Sequence, residues 1–390
     1  MMTIVFGTGY FANRIIYFEN ELDIQYFIDN DIQKIGKQFG GYDIKHPEEI
    51  IGDEYDQIVI TSEKYEFEMR RQLLDLGVEE SKIVNGWELE DRFISDYEET
   101  ENVLEEHKTD DSKDVIKIRT SENYRLFQVD ENLVQFENIL SKMVLKSSKK
   151  IIYYPGRCNI CKKTVDMRID NFYSGSPLKV NFRERLACPI CNLNNRQRKI
   201  AELILDKASS ESVIYLTEQV TEMYSVLKEK FDNLIGSEFL GTDMTGGTIS
   251  EEGIRHEDLT NLSFDDEVFD YVISCDVLEH VGDAVKAFRE IHRVLKNDGV
   301  FYATFPMNFN EEHTVKRAAL TEAGIEYFHE PVYHGNPIST DGSLVFYDYG
   351  FDLMDMVKAA GFSDAYFMPF YSIPDGHIGI GTLFIFVAQK

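Results

Sequence analysis

Four of the five cysteines stand in two pairs, Cys158-Asn159-Ile160-Cys161 and Cys188-Pro189-Ile190-Cys191, with twenty-six residues between them. A C-x-x-C turn presents two thiolates to one side of an ion, and two such turns complete a tetrahedral set for zinc. A complete set leaves no position for water, so the spacing predicts a structural zinc. A redox dithiol pair and an iron–sulfur centre use the same residue type and stand as the other readings. Cys275 lies alone in an apolar run, and an odd count with paired spacing suits metal thiolates in a reducing compartment better than disulfides. Around the second pair lie Arg183, Arg185, Arg196, Arg198 and Lys199. Arginine forks match phosphate oxygens, which is one use for such a cluster. Pairing with neighbours such as Glu184 and Glu202 is the other.

The residues beyond Ser212 require a scaffold that alternates strand and helix. Val213 to Leu216 is an apolar strand, Met223 to Phe231 a helix, and Asn233 to Gly236 a short second strand ending near Glu238. Ile254 to His256 leads to Asp258, and Phe269 to Ser274 reads as a fully apolar inner strand. Ala284 to Leu295 carries Phe288, Ile291 and Leu295 at helical spacing on one face. Lys296 to Gly299 turns the chain into a strand from Val300 to Phe305, and a helix from Phe351 to Ala360 stops at Gly361. Two final strands fall near Ala365 and Leu383. The joining loop of the first unit reads Thr217-Glu218-Gln219, where nucleotide-binding loops usually place glycines for close approach of the backbone.

The run HEDLTNLSFDDEVFDYVISCDVLEHVGDAVKAFREIHRVLKNDGVFYATFP resembles the third-to-fifth-strand region of class I S-adenosylmethionine-dependent methyltransferases of the type 11 kind. D-x-x-x-L-x-F, F-D-x-V, L-E-H-V and R-V-L-K-x-x-G together carry the likeness. With the CPIC-x-L-x-x-R-Q-R entry it covers roughly residues 186 to 390, and that entry resembles bacterial methyltransferases with a zinc segment just upstream of the catalytic domain. The resemblance implies an α/β core with a seven-stranded, mostly parallel sheet and S-adenosylmethionine as cofactor. Ligands of such open sheets bind beyond the carboxyl ends of the strands. On that pattern Glu238 accepts the ribose hydroxyls, Asp258 the adenine amino group, and Leu259 stacks on the base. Ser274 to Asp276 would pass under the methionine end. Thr217, Glu218 and Gln219 bring side chains where the usual loop offers bare backbone. Glu218 is expected to hold the ligand's ammonium and Gln219 its carboxylate.

The insertion from Met307 to Gly342 holds His313, His329, Tyr333 and His334, and loops of that length usually form lids or acceptor pockets. His334 is the expected general base, Tyr333 the group that orients the acceptor, and His280 of LEHV a second catalytic candidate.

At the other end, TIVFGTGYFANRIIYF reads as strand, Gly7-x-Gly9-x-x-Ala12 turn and helix, with Asp29 closing a second strand, Ile24 to Ile28. A strand from Gln57 to Ile60 and a helix from Glu66 to Leu76 follow, stopped by Gly77. This predicts a small parallel α/β domain over residues 1–90, whose turn resembles a Rossmann fingerprint with Asp29 as the ribose acid. With FIDNDIQKIGKQFGGYDIKHPEEI, it is similar to small Rossmann-like domains of bacterial sugar-modifying enzymes. A nucleotide-sugar docking module and a purely structural domain both fit.

Residues 88–114 hold twelve Asp or Glu against three Lys or Arg, the composition of a linker. With a helical pattern from Glu131 to Met143, it fills residues 91–150. The zinc segment then covers 151–200 and the methyltransferase core 201–390. Over 390 residues the formal charge is -29, which argues against a general nucleic-acid or anionic-membrane binder. No apolar run reaches the ~20 residues of a membrane span, and the amino terminus lacks a signal peptide's regions, so a cytoplasmic chain is expected. The reading is a methyltransferase of a small polar acceptor, a sugar nucleotide or surface-glycan intermediate, with the oligomeric state open. An inactive scaffold that binds a partner is the alternative, prompted by the missing glycines.

Overall fold

The structure is a computed structural model and describes residues 2–9, 12, 15–16, 22–62, 65–86, 88–89, 116–127, 131–147, 150–172, 180–321, 323–379 and 383–390. The acidic stretch 91–114 and part of the first glycine turn, Tyr10 and Phe11, lie outside the described residues. The chain divides into two compact units. Residues 1–105, 135–152 and 169–181 form the first; residues 106–134, 153–168 and 182–390 form the second.

In the first unit β1 (Met2–Phe6), β2 (Asp23–Ile28), β3 (Gln38–Phe39), β4 (Tyr42–Lys45), β5 (Gln57–Ile60) and β6 (Ile83–Asn85) form one sheet in the order β3-β4-β2-β1-β5-β6. All neighbours are parallel except β3 and β4. The strands are near-continuous apolar runs because both faces are buried. Ile4, Phe6, Ile58 and Ile60 fill one core layer, and Val5, Phe27 and Val59 the other. Asp29 Oδ2 accepts from the Thr8 amide at 3.1 Å and the Thr8 hydroxyl at 2.5 Å, with Lys34 Nζ at 3.4 Å. The expected ribose acid therefore ties its own turn together.

The second unit begins with an element counted above as linker. Ile118, 1% exposed, exchanges both backbone hydrogen bonds with Phe367, and Tyr124 stacks on Phe309. Strands β7 (Ile151–Cys158), β8 (Lys163–Asp170) and β9 (Leu186–Ala187) form a small sheet around the cysteine turns.

The main sheet of this unit runs β11-β10-β12-β13-β21-β20, from β10 (Ile214–Leu216), β11 (Leu234–Gly236), β12 (Phe269–Cys275), β13 (Leu295–Thr304), β20 (Asp364–Pro369) and β21 (Phe384–Gln389). Pairing is parallel from β11 to β13 and antiparallel at β21 and β20. Six strands stand among the described residues where seven were expected. The missing one, Ile254–His256, contributes a single parallel bridge between Glu238 and His256. Its other edge folds back on residues 247–249, so it forms a hairpin with its own upstream loop. The helix Ala284–Val294 buries Ala284, Ala287, Phe288, Ile291 and Val294, the apolar stripe of the sequence, and Asp283 caps it by accepting the Lys286 amide.

The insertion runs further than residue 342. It forms three two-stranded ribbons: β14 (Val315–Lys316) with β19 (Tyr347–Asp348), β15 (Ala318–Thr321) with β16 (Gly324–Tyr327), and β17 (Tyr333–Asn336) with β18 (Ser339–Leu344). No helix among the described residues is long and apolar enough to cross a membrane.

Candidate functional site

The two C-x-x-C turns meet. Cys158 Sγ lies 3.8 Å from Cys191 Sγ, Cys161 Sγ lies 3.9 Å from Cys188 Sγ, and all four atoms fall within 4.8 Å of one another. Thiolates ~2.3 Å from a tetrahedral zinc stand about 3.8 Å apart, so these separations fit that ion. In each turn an amide donates to the first sulfur, Cys161 to Cys158 and Ile190 to Cys188, both at 3.4 Å. The residue after each second cysteine, Lys162 (φ 56°) or Asn192 (φ 57°), takes the same left-handed backbone. Two C-x-I-C turns with different flanking residues thus build the same knuckle. The fully buried Arg198 donates to the carbonyls of Asp375 (2.5 Å) and Gly376 (2.8 Å), so it ties the Asn195–Lys207 helix to a late loop.

At the carboxyl ends of β10 and β11 the glycine-free loop closes on an acid. Glu238 Oε1 accepts the amides of Gln219 at 2.7 Å and Val220 at 3.0 Å. Burial raises the Glu238 pKa above its ordinary value, and those two amides oppose the rise. Thr217 donates to Ser274 Oγ at 3.0 Å, which joins the ends of β10 and β12. Glu218 is 8% exposed, and its Oε1 has no hydrogen-bond partner among the described residues. Burial pushes its carboxyl up to about 7, against the pull of Arg196. A buried acid with an unpartnered oxygen is costly unless a donor or a cationic group meets it.

Other residues of this edge are engaged differently from expectation. Gln219 does not offer its amide to a ligand carboxylate: Nε2 donates to the Gly253 carbonyl at 3.0 Å and Oε1 accepts the Arg255 amide at 2.8 Å. It pins the loop to the segment that replaces the third strand. Leu259 is 7% exposed and packs within the core cluster. Asp258 Oδ1 accepts from the Thr260 amide and hydroxyl, shaping the turn.

The loop and the Tyr224 ring pack closely on Gly236 of β11. A Cβ on Gly236 would stand 2.6 Å from the Tyr224 ring and 2.9 Å from the Glu218 carbonyl. Gly236→Ala is therefore expected to destabilise the fold by about 1–3 kcal/mol through overpacking and to displace the Glu218 backbone. Denaturant unfolding with the ligand affinity measured alongside checks both effects.

Asp276 (φ 54°), the residue after β12, sits in an ion-pair network. Arg183 donates to both its oxygens, at 2.9 and 2.6 Å, and Arg196 Nη2 lies 2.9 Å from Oδ2. Arg196 also donates twice to Glu184, at 3.1 and 3.0 Å, and Arg183 pairs with the same residue. The two guanidinium groups hold the Asp276 carboxyl well below the usual carboxylate range despite its burial. Lys199 pairs with Glu202 at 2.9 Å. Of the two readings of the basic cluster, pairing with neighbouring acids holds for Arg183, Arg196 and Lys199. Beside the network a cavity of about 210 Å³ is lined by Arg183, Thr304, Phe305, Phe309, Phe367 and Phe384, among others.

The insertion brings His334 to His280, with ring centroids 5.0 Å apart and planes perpendicular. Between them is Glu279, whose carboxylate was not among the expected site residues. Its Oε1 lies 3.7 Å from His280 Nε2 and 3.6 Å from His334 Nδ1, and His280 Nδ1 lies 2.8 Å from the Leu344 carbonyl. Glu279 raises the His334 pKa above its ordinary value. Tyr333 is not part of this group. Successive side chains of a strand point to opposite faces, and Tyr333 is 53% exposed with Tyr327 as its polar neighbour. His313 is exposed beside Asp352. An acid between Leu278 and His280 in otherwise apolar text was the available signal for Glu279. For Arg183 and Arg196 the sequence offered proximity to acids but no hint that Asp276, ninety-three residues beyond Arg183, was their partner.

Residues 225–303 match the family model of the methyltransferase domain, and residues 1–84 match the model described as C2185-like, N-terminal. Part of the second unit, residues 225–303, is thus similar to a methyltransferase domain. Among solved structures, an S-adenosylmethionine-dependent methyltransferase from Mesorhizobium loti is 14% identical, with a TM-score of 0.33, covering 50% of this chain and 98% of its own. An amino pentose methyltransferase from Micromonospora echinaspora, solved with S-adenosylmethionine bound, is 13% identical with a TM-score of 0.31, covering 50% and 89%. A methyltransferase from Thermotoga maritima is 17% identical with a TM-score of 0.27, covering 48% and 86%. The comparison with curated proteins finds no match.

Proposed function

We propose that the chain is an S-adenosylmethionine-dependent methyltransferase of a small polar acceptor, a sugar nucleotide or surface-glycan intermediate, with a structural zinc at Cys158, Cys161, Cys188 and Cys191. The observation that carries the cofactor assignment is the buried Glu218 carboxylate with its unpartnered oxygen, in a loop shared with Glu238 and just upstream of residues 225–303, which match the methyltransferase domain model. When bound, S-adenosylmethionine supplies an electrophilic methyl group on a cationic sulfur. Glu218 would hold its ammonium. Glu238, already oriented by two loop amides, keeps its second oxygen for the ribose hydroxyls. The free Oδ2 of Asp258 is the proposed acceptor for the adenine amino group.

Ser274 and the Asp276 network shape the floor beneath the reacting end. An ion network that is satisfied before the ligand arrives needs no reorganisation, and such positioning contributes much of the rate in group transfer. His280 and His334, drawn together by Glu279, are the groups proposed to handle the acceptor oxygen. The sugar-type acceptor draws on the parallel first unit and its resemblance to sugar-enzyme modules.

The test is transfer of a labelled methyl group from S-adenosylmethionine to a panel of nucleotide sugars, glycan precursors, peptides and RNA. A gain of one methyl mass on a sugar-containing member is the expected result. Transfer only to peptide or RNA would overturn the acceptor class, and cofactor binding without any transfer would favour the scaffold reading.

A further inference from the structure

We infer that Glu279, His280 and His334 form a divalent transition-metal site, separate from the four-cysteine centre. The three ligand atoms lie within 4.8 Å of one another. Glu279 is fully buried, and neither carboxylate oxygen has a hydrogen-bond partner among the described residues. A carboxylate in the interior without a hydrogen bond is expensive unless something cationic meets it closely.

The distances distinguish a hydrogen bond from a bridged pair. At 3.7 and 3.6 Å the two imidazole nitrogens stand beyond the ~2.7–3.2 Å of hydrogen bonds to the same Glu279 oxygen. Ligands each ~2.1 Å from one ion, at tetrahedral to trigonal angles, are about 3.4–3.6 Å apart. His280 is also prepared as a ligand. Its Nδ1 lies 2.8 Å from the Leu344 carbonyl, which can only accept, so Nδ1 carries a proton and Nε2, on the Glu279 side, is the nitrogen that can bind a cation. The ribbon β17–β18 delivers His334 from one strand and the anchoring Leu344 carbonyl from the other, so one hairpin sets two of the three ligands.

Two imidazoles and one carboxylate suit zinc, iron, manganese or cobalt rather than magnesium or calcium. Three protein ligands leave positions open for water or a substrate oxygen. His334 is partly exposed, which leaves the site an approach from solvent. In the open positions an acceptor hydroxyl would bind and lose its proton more readily. That last role rests on the methyltransferase reading, whereas the cation site does not.

The experiment titrates Co2+ into the full chain carrying one zinc, without S-adenosylmethionine, and follows the visible absorption. The expected result is one further cobalt per chain with nitrogen and oxygen ligand-field bands and no thiolate charge-transfer band. Glu279→Gln and His334→Ala should each weaken binding at least 10–100-fold, the size of effect that loss of even an outer-shell partner produces. His334 lies on a partly exposed ribbon, so that variant decides if Glu279→Gln misfolds. No uptake of Co2+, Mn2+ or Zn2+ beyond one zinc, or uptake unchanged in His334→Ala, would overturn the site. Cation uptake without S-adenosylmethionine binding would leave the site standing and remove only the methyltransferase reading.

Discussion

Cys188→Ser, or removal of the ion by a strong chelator, is expected to unfold the segment that carries Arg183, Arg196 and Arg198 and to abolish ligand binding with it. Structural zinc contributes about 10–16 kcal/mol of folding free energy in small zinc-binding peptides, comparable to the whole 5–15 kcal/mol margin of a domain. Even a fraction of that value decides the outcome here. The knuckles precede the helix Asn195–Lys207, whose Asn195, Arg196 and Arg198 are buried and whose guanidinium groups reach Glu184, Thr304 and the Asp375–Gly376 backbone. Losing one thiolate therefore removes order at the Asp276 network as well as at the ion. Elemental analysis should give one zinc per chain for the native protein. Thermal unfolding should show a large fall in Tm for the variant. A zinc-free native preparation with an unchanged Tm would contradict this role.

Glu218→Gln should separate affinity from stability. Its carboxyl titrates at about 7 in the fold, because burial disfavours the charged form. A carboxyl raised from its ordinary 4.5 to about 7 favours the fold at low pH. That contribution is lost as pH rises from the ordinary value through 7, and by about pH 8 the buried charge costs roughly 3 kcal/mol. Glutamine avoids this cost, so the variant should be as stable as the native chain or more so above neutrality. Its affinity for a cationic ligand should fall, by about 10–100-fold, the worth of a hydrogen bond to a charged group. In the native protein the same affinity should drop about tenfold per pH unit below 7, since the ligand must displace the proton. The variant should lose this dependence. Calorimetric titration across that range, with unfolding curves at each pH, checks both. An unchanged affinity would remove Glu218 from the site.

The parts of this architecture that depend on periodicity were legible in the sequence. FDYVIS became the inner strand β12 because a strand buried on both faces must be apolar throughout. The helix Ala284–Val294 follows the stripe that its residues trace at helical spacing. The cysteine pairs were legible because thiolate spacing encodes the ion's geometry directly. What escaped notice depends on long-range pairing. Nothing local to Ile118 marks it as a bridge partner of Phe367. Ile254–His256 carries the apolar and polar alternation of a strand, yet its neighbouring glycines let residues 247–249 compete for its edge. Gln219 and Tyr333 failed for a related reason. Residue type showed what chemistry they could do, while backbone carbonyls two dozen or more residues away, and the pleat of a ribbon, decided where their polar atoms went. The missing loop glycine is the instructive case. The loop that lacks it packs on Gly236 of the adjacent strand, a contact that one sequence read in order offers no reason to expect.

The most direct measurement is equilibrium binding of S-adenosylmethionine to the zinc-loaded full chain at about pH 8, where Glu218 is ionised. One site per chain, weakened in Glu218→Gln, is the result expected of a working cofactor edge. No binding to well-folded, zinc-loaded protein at millimolar ligand, a concentration corresponding to only about 4 kcal/mol of binding free energy, would contradict the enzyme and leave a scaffold.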